Sequence, residues 1–175
     1  QNQFTVIQAV VLSEFYGLDA PNAYGDLPLV NRDPLHPNQA YFRHVDWIVK
    51  KAQEKGLVIA MLPTWGSEVV RASWEKTPPQ VVFNPQNAHA YGRWLAARYK
   101  KAPNLIWVLG GDRDPHGVED VWRAMAAGLR EGDGGRHLIT FHPPGGQSSS
   151  KYLHSEKWLA FNMVQSSHSS KDLPN

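Results

Sequence analysis

Short runs of apolar residues constrain the fold of this chain more than any other feature of its sequence. The runs are nearly continuous in apolar residues and do not alternate with polar ones, which is typical of strands covered on both faces in a parallel sheet. Five runs predict strands, in chain order Phe4–Leu12, Leu57–Leu62, Leu105–Leu109, His137–Phe141 and Trp158–Val164.

Three stretches between these runs have the periodicity of amphipathic helices. The first covers Gln39–Lys55, with Asn38 as its expected N-cap. The other two follow Asn84-Pro85 and Asp114-Pro115, where a capping residue precedes a proline suited to a first helical turn. Between Phe141 and Trp158 there is room for one short helix only. Strands that alternate with helices predict an α/β fold.

Two α/β architectures fit this alternation. Five strands could complete an open doubly wound sheet, whereas a (β/α)8 barrel needs about 250 residues and the chain has 175. The pattern alone slightly favours the open sheet. However, no strand is followed by a GxGxxG or GxxxxGK[ST] phosphate loop. In either architecture the ligand site is expected in the long loops at the carboxyl ends of the strands.

Composition excludes several classes of protein. With 42% hydrophobic and 19% charged residues, the chain has an ordinary globular balance. Its net charge of +2 comes from scattered basic residues, so no nucleic-acid partner is expected. No apolar run approaches the roughly 18 residues of a membrane helix, so no membrane partner is expected. The absence of cysteine excludes disulfides and thiolate chemistry. Seven Trp, six Tyr and six Phe are enough both to build a core and to line a sugar cleft.

Asp112 is the leading candidate for a catalytic residue. In "NLIWVLGGDRDP" it directly follows a buried strand, and Gly110 and Gly111 let a ligand or another strand approach the backbone. A carboxyl at this rim, between Trp107 and a bound sugar, could give a proton to a leaving oxygen. The alternative is a structural role, as a helix cap or an ion-pair partner of Arg113. For Asp114, which precedes a proline, the role of N-cap is favoured.

Other strand ends add polar and aromatic candidates to the same edge. Trp65 in "PTWG" could stack on a sugar or pack at the rim, and "FHPPGG" and "NMVQSSH" supply His142, Gln165 and His168. A single histidine is more often structural, but three strand ends that offer aromatic and polar side chains to the same edge favour a ligand-binding site. A metal site of Asp112, His142 and His168 is an alternative. Because HxH and HExxH pairs are absent, no metal and no cofactor are expected. A GxSxG nucleophile turn is also absent.

Taken together and in order, these motifs resemble the apiosidase-like glycoside hydrolases over nearly the whole chain. The stretches that carry the resemblance are "FTVIQAVVLSE", "YGDLPLV", "YFRHVDWIVKKAQEKGL", "LPTWG", "NLIWVLGGDRDP", "ITFHPPGG" and "FNMVQSSHS". The resemblance implies a TIM-barrel fold in which the five runs are the second to sixth strands. Residues 1–175 would then be a single, partial glycoside hydrolase catalytic domain of (β/α)8 type.

The resemblance also implies roles for the candidate residues. Asp112 would stand at the end of the fourth barrel strand, where such enzymes keep the proton donor, and would act as general acid/base. Trp65, Arg113, His142, Gln165 and His168 would bind the substrate. That substrate would be an oligo- or polysaccharide of the plant cell wall, such as apiose-containing side chains of pectin. A secreted or periplasmic location would follow from such a substrate.

One departure from the family pattern limits what the chain is expected to do alone. The family's second carboxylate is a Glu near the end of the seventh strand, and here no Glu follows Glu156. The first strand also has no counterpart, so we expect an incomplete barrel, poorly active or inactive by itself. Missing barrel segments or self-association are expected to cover the apolar edge strands. A non-catalytic carbohydrate-binding barrel and a metal-dependent hydrolase remain alternatives.

Overall fold

Four parallel strands form one sheet in the computed structural model, which describes residues 3–71 and 81–166. The strands are β1 (Val6–Leu12), β2 (Val58–Thr64), β3 (Leu105–Gly110) and β4 (Ile139–His142), and they lie in chain order across the sheet. Each strand pairs in parallel with the next one along the chain. The first four predicted strands are therefore confirmed, with ends that differ by one or two residues.

The helices follow the predicted pattern closely. They are α1 (Gln39–Glu54), α2 (Pro85–Tyr99), α3 (Glu119–Asp133) and the short α4 (Ser150–Leu153). Asn38 caps α1 through its side chain, and Asn84 forms a reciprocal capping box with Asn87 at the start of α2. None of the helices in the two described ranges is long and apolar enough to cross a bilayer.

The start of α3 differs from the prediction. Asp114 does not cap the helix, because its Oδ1 accepts a hydrogen bond from the amide of His116 and closes a local turn. The chain then turns through Gly117, which has a positive φ of 83°, before the helix begins at Glu119. A short polar side chain next to a proline suits such a turn as well as it suits a cap.

The prediction of a fifth strand at Trp158–Val164 is wrong, because this segment forms no strand of the described sheet. One backbone bond joins this segment to β4, from the amide of Ala160 to the carbonyl of Ile139 at 2.8 Å. Beyond it, the hydroxyl of Thr140 donates to the carbonyl of Phe161, and that of Ser149 accepts from the amide of Met163. The backbone amide of Ser149 also donates to the carbonyl of Met163 at 2.9 Å, and Val164 forms one isolated bridge with Ser148. A strand needs a repeated ladder of backbone bonds, and in this segment the backbone bonds are isolated and go to different parts of the chain. β4 is therefore the last strand of the described sheet.

Side chains on the two faces of the sheet enter different cores. Trp107 and Leu109 of β3 point towards the helices and join the main core with residues of α1, α2 and α3. Val108 points the other way and packs with Leu62 and Trp65 in a smaller cluster. Helices cover one face, and a small apolar cluster fills the other, which is the layering of a segment cut from a (β/α)8 barrel.

Candidate active site

Three consecutive residues with positive φ end β3 and shape the site. The φ angles of Gly110, Gly111 and Asp112 are 86°, 119° and 53°. A Cβ at Gly110 would lie 2.4 Å from the carbonyl oxygen of His142, and one at Gly111 would lie 2.7 Å from the Trp65 ring. Only glycine fits at these two positions, so the end of β3 is clamped between the ends of β2 and β4. This clamp fixes Asp112 at the carboxyl edge of the sheet.

Asp112 has one buried and one accessible aspect. Its side chain keeps 26% of its surface exposed, yet Oδ1 is buried and has no hydrogen-bond partner among the described residues. That oxygen lies 3.8 Å from Nδ1 of His142. Buried carboxylate oxygens are almost always hydrogen-bonded, and a catalytic role is one of the explanations for an exception. Of the charged residues that follow β3, Asp112 is thus the one that combines a positive φ with a partly exposed side chain.

His142 contacts Asp112. Only 5% of the residue is exposed, and its ring lies 5.3 Å from that of Trp65, centroid to centroid, in a tilted contact. Burial lowers the pKa of the His142 imidazole below its ordinary value, although the nearby Asp112 carboxylate acts in the opposite direction. The ring is therefore neutral at neutral pH. Trp65, Asp112 and His142, predicted from three separate strand ends, do meet at one edge.

Arg113 contributes to the same corner through its main-chain contacts. It is 5% exposed, and its Nη1 donates to the carbonyl oxygen of Asp112 at 3.2 Å. Its aliphatic stem packs over Gly66, where a Cβ would lie 2.7 Å from Cγ of Arg113. Arg113 thereby ties the turn after β3 to the turn after β2.

The last two predicted residues fall in the segment that returns after α4. Gln165 exchanges backbone bonds with the loop that follows β4, from the amide of Gly146 and to the carbonyl of Gln147. Oε1 of Gln165 is buried and has no partner among the described residues. Gln165 is therefore on the expected edge, whereas His168 lies outside the described residues.

Trp107 does not lie beside Asp112 as the sequence suggested. It is fully buried on the helix side of the sheet, where its Nε1 donates to Oδ2 of Asp133 at 3.1 Å. The error arises because neighbouring residues of a strand point to opposite faces. The indole near Asp112 is instead that of Trp65.

Sequence reasoning missed a second carboxylate at this edge. Glu68 ends the short 3-10 turn Gly66–Glu68 after β2 and is 3% exposed. Its Oε1 accepts a hydrogen bond from Ser67, and its carbonyl accepts from the amides of Val82 and Phe83. The signal was present in "PTWGSE", where an acid follows the strand end by a single turn. Within the described ranges, no three His, Cys, Asp or Glu side chains are grouped as a metal site would require.

Solved structures share this architecture. A glycoside hydrolase family 5 protein from Bacteroides vulgatus ATCC 8482 is 34% identical, with a TM-score of 0.79, over 95% of this chain and 34% of its own. A second glycoside hydrolase matches with the same identity and TM-score over 95% of this chain and 36% of its own. Cel5A of Thermotoga maritima, 20% identical over 70% of this chain, has a TM-score of 0.52 and shares the fold.

These neighbours define the chain as an incomplete TIM barrel of the glycoside hydrolase class. It spans about a third of the length of the first two relatives. No curated protein matches it. The model of the apiosidase-like catalytic domain, however, matches residues 1–175. The chain belongs to the apiosidase-like glycoside hydrolase family, and the barrel, not the open sheet that the pattern alone slightly favoured, is its fold.

Proposed function

We propose that residues 1–175 are one partial catalytic barrel domain of a glycoside hydrolase acting on plant cell-wall polysaccharide, with apiose-containing side chains of pectin as the substrate. One observation carries the proposal. Asp112 stands at the carboxyl end of a central strand, with a partly open side chain and one buried oxygen that has no partner among the described residues. Membership of the family supports the class of reaction.

Asp112 acts as the general acid/base in this proposal. Its carboxyl protonates the glycosidic oxygen as the bond to the anomeric carbon breaks, and its carboxylate then removes a proton from the attacking water. Trp65, Arg113, Gln165 and His168 are proposed to bind the sugar. Nε1 of Trp65 and Oε1 of Gln165 support this role, because each is a buried polar atom without a partner in the described part of the chain. Small movements of these side chains would let a sugar hydroxyl supply the missing hydrogen bond.

The carboxylate that acts together with Asp112 in catalysis is proposed to come from outside this chain. A retaining glycosidase needs two carboxyl groups about 5–5.5 Å apart, and an inverting one needs a wider pair. The family pattern places the partner on a seventh strand, and residues 1–175 correspond to about a third of the solved relatives. The isolated chain is therefore expected to bind sugars weakly and to hydrolyse them poorly or not at all.

The test compares two neighbouring aspartates in the full-length protein. Asp112→Asn removes the proposed acid, and Asp114→Asn, at an exposed position two residues away, is the matched control. On apiose-containing pectic oligosaccharides, Asp112→Asn should slow sugar release by about 10²-fold or more. Asp114→Asn should release sugar at nearly the wild-type rate.

Two outcomes would contradict the proposal. Wild-type rates in Asp112→Asn on every glycoside that the enzyme cleaves would remove Asp112 from the acid/base role. A wild-type protein that binds these oligosaccharides but cleaves none of them would favour the non-catalytic carbohydrate-binding barrel.

A further inference from the structure

His142 contacts two consecutive backbone amides at the end of β3. The amide of Gly111 donates to the carbonyl oxygen of His142 at 3.1 Å, and the amide of Asp112 donates to its ring Nδ1 at 3.4 Å. These are two of the three positive-φ residues that turn the chain away from the sheet. The main chain and the ring of one residue thus hold the turn that presents Asp112.

The conformation held by these bonds is not one that Asp112 would adopt freely. A left-handed backbone brings Cβ of an L-residue too close to a carbonyl oxygen, and aspartate tolerates it somewhat better than most residues. Such strain persists where surrounding contacts over-determine it, and it collects at active sites. At Asp112 the contact on the strained amide is the His142 ring, so that ring opposes relaxation of the residue towards ordinary φ values.

The bond also defines the form of the ring. Nδ1 can accept from the Asp112 amide only when it carries no proton, so the neutral ring must carry its proton on Nε2. Burial favours this neutral form by lowering the pKa of His142. The tilted contact with Trp65 and the 5% exposure leave little freedom for the ring to turn over.

We propose that His142 is a positioning residue for Asp112, whose ring Nδ1 fixes the left-handed backbone and hence the direction of the carboxyl, and that it does not bind the sugar itself. This inference rests on the proposed acid/base role of Asp112. It replaces the substrate-binding role that the sequence suggested for His142. A buried ring that contacts Asp112 and Trp65 is placed to orient the carboxyl and poorly placed to meet a sugar.

Two amide substitutions separate the acceptor from the bulk of the side chain. In His142→Asn the side-chain oxygen is attached to Cγ, as Nδ1 is in histidine, so the acceptor for the Asp112 amide is kept. In His142→Gln the polar atoms lie one bond further out, where Nε2 was, and that acceptor is lost. In the full-length enzyme, His142→Gln should lower kcat by about 10²-fold, as expected for a catalytic group displaced by about 1 Å. KM should change little, and His142→Asn should recover most of kcat.

Two kinetic results for these variants would overturn the inference. Equal losses in His142→Asn and His142→Gln, or losses confined to KM, would show that the ring binds substrate or only fills space. If Asp112→Asn loses activity while the His142 variants give either of these results, the acid/base role of Asp112 is supported and only the positioning role of His142 is contradicted. Thermal unfolding of both variants, compared with wild type, identifies any loss that comes from misfolding.

A second measurement needs no activity. Long-range ¹H–¹⁵N spectra of the full chain should show His142 as the Nε2-protonated tautomer at neutral pH. The Asp112 amide should exchange with solvent slowly in wild type and His142→Asn, and faster in His142→Gln. A proton on Nδ1, or unchanged exchange in His142→Gln, would contradict the inference even if the glycosidase proposal holds. If Asp112→Asn keeps full activity, the proposed function fails, and these spectra still decide whether the ring holds the Asp112 backbone.

Discussion

Asp133 shows how one buried carboxylate can be satisfied completely by its surroundings. Its Oδ2 accepts from Nε1 of Trp107 at 3.1 Å and contacts Nδ1 of His137 at 2.8 Å, while Oδ1 accepts from the amides of Gly135 and Arg136. Burial alone would raise the pKa of Asp133, but the hydrogen bonds from Trp107, His137 and Gly135 outweigh it and hold the pKa below its ordinary value of 3.8. Oδ1 of Asp112, by contrast, has no partner among the described residues, which fits the catalytic role proposed for that carboxylate.

The acid stability of the chain should depend on Asp133. Since the folded-state pKa is depressed, the ionised carboxylate stabilises the fold at pH values above 3.8, and this contribution is lost as pH falls through the lower folded-state value. Asp133→Asn should lower the free energy of unfolding at pH 7 by about 3 kcal/mol. It should also flatten the loss of stability below pH 4.

Urea unfolding at a series of pH values measures both effects. Asp120→Asn, at an exposed position in the first turn of α3, is the control and should change little. If the free energy of unfolding of Asp133→Asn fell with pH just as that of wild type does, the Asp133 carboxylate would not be the cause of the acid dependence.

At the scale of single residues, the sequence predicted where a residue lies along the fold better than it predicted which side chains that residue contacts. Asp112 could be placed at the rim because an acid directly after a buried strand has nowhere else to lie. The contact between Asp112 and His142 could not be predicted, because this contact depends on the register of β3 and β4, in which Gly110 pairs with His142. Register is set by the packing of the whole sheet, and one step along a strand reverses the face, which is also why Trp107 was misplaced.

The helices α2 and α3 cross with their backbones very close together. At Gly128 a Cβ would lie 2.1 Å from the carbonyl oxygen of His89, and at Gly132 one would lie 2.3 Å from that of Arg93. Helices whose backbones approach this closely need glycine at the point of contact. The contact in turn fixes how both helices pack on β3, the strand that carries Asp112.

Gly128→Ala tests whether this crossing stabilises the fold. In a free helix the change would stabilise by roughly 1 kcal/mol, but here the added methyl must push the helices apart, at a cost of about 1–3 kcal/mol. We therefore expect a lower free energy of unfolding in urea. Ala127→Ser, at the exposed neighbouring position, is the control. A more stable Gly128→Ala would mean that the two helices do not pack as described.

At the scale of elements, the sequence predicted what depends on local pattern. Four strands, three main helices and two caps followed from apolar periodicity and capping residues. The run Trp158–Val164 has the same apolar pattern but forms no strand, because a strand also needs a partner that offers a ladder of backbone groups. Thr140 and Ser149 supply side-chain partners together with isolated backbone bonds, and hydrophobicity alone does not reveal that the ladder fails to repeat.

For the molecule as a whole, β1 presents an uncovered apolar edge. Phe4, Val6 and Ile7 are exposed by 74%, 49% and 37%. Beside them, a groove of about 250 Å³ runs between β1 and α1, lined mainly by apolar side chains that include Val10, Ile48 and Met61. Natural sheet edges are usually protected by charge, proline or a covering element. We propose that further barrel segments cover this edge in the full-length protein and that a second copy covers it in the isolated chain.

The isolated chain should therefore self-associate through β1. Val6→Lys places a charge on the exposed edge and should shift the chain towards monomer in sedimentation velocity measurements at several concentrations. Val30→Lys, at a site 51% exposed in the first long loop, should leave the association unchanged. A wild-type chain that remains monomeric at every concentration, with β1 uncovered, would contradict this account.

The role of Asp112 in proton donation is tested most directly by the leaving group. In the full-length enzyme, kcat/KM of wild type and Asp112→Asn would be compared on a glycoside with an alkyl leaving group and on a 2,4-dinitrophenyl glycoside, which needs no protonation to depart. The account predicts a loss of about 10²-fold or more on the alkyl glycoside and a much smaller loss on the dinitrophenyl glycoside. Equal losses on the two substrates would show that Asp112 does not deliver the proton.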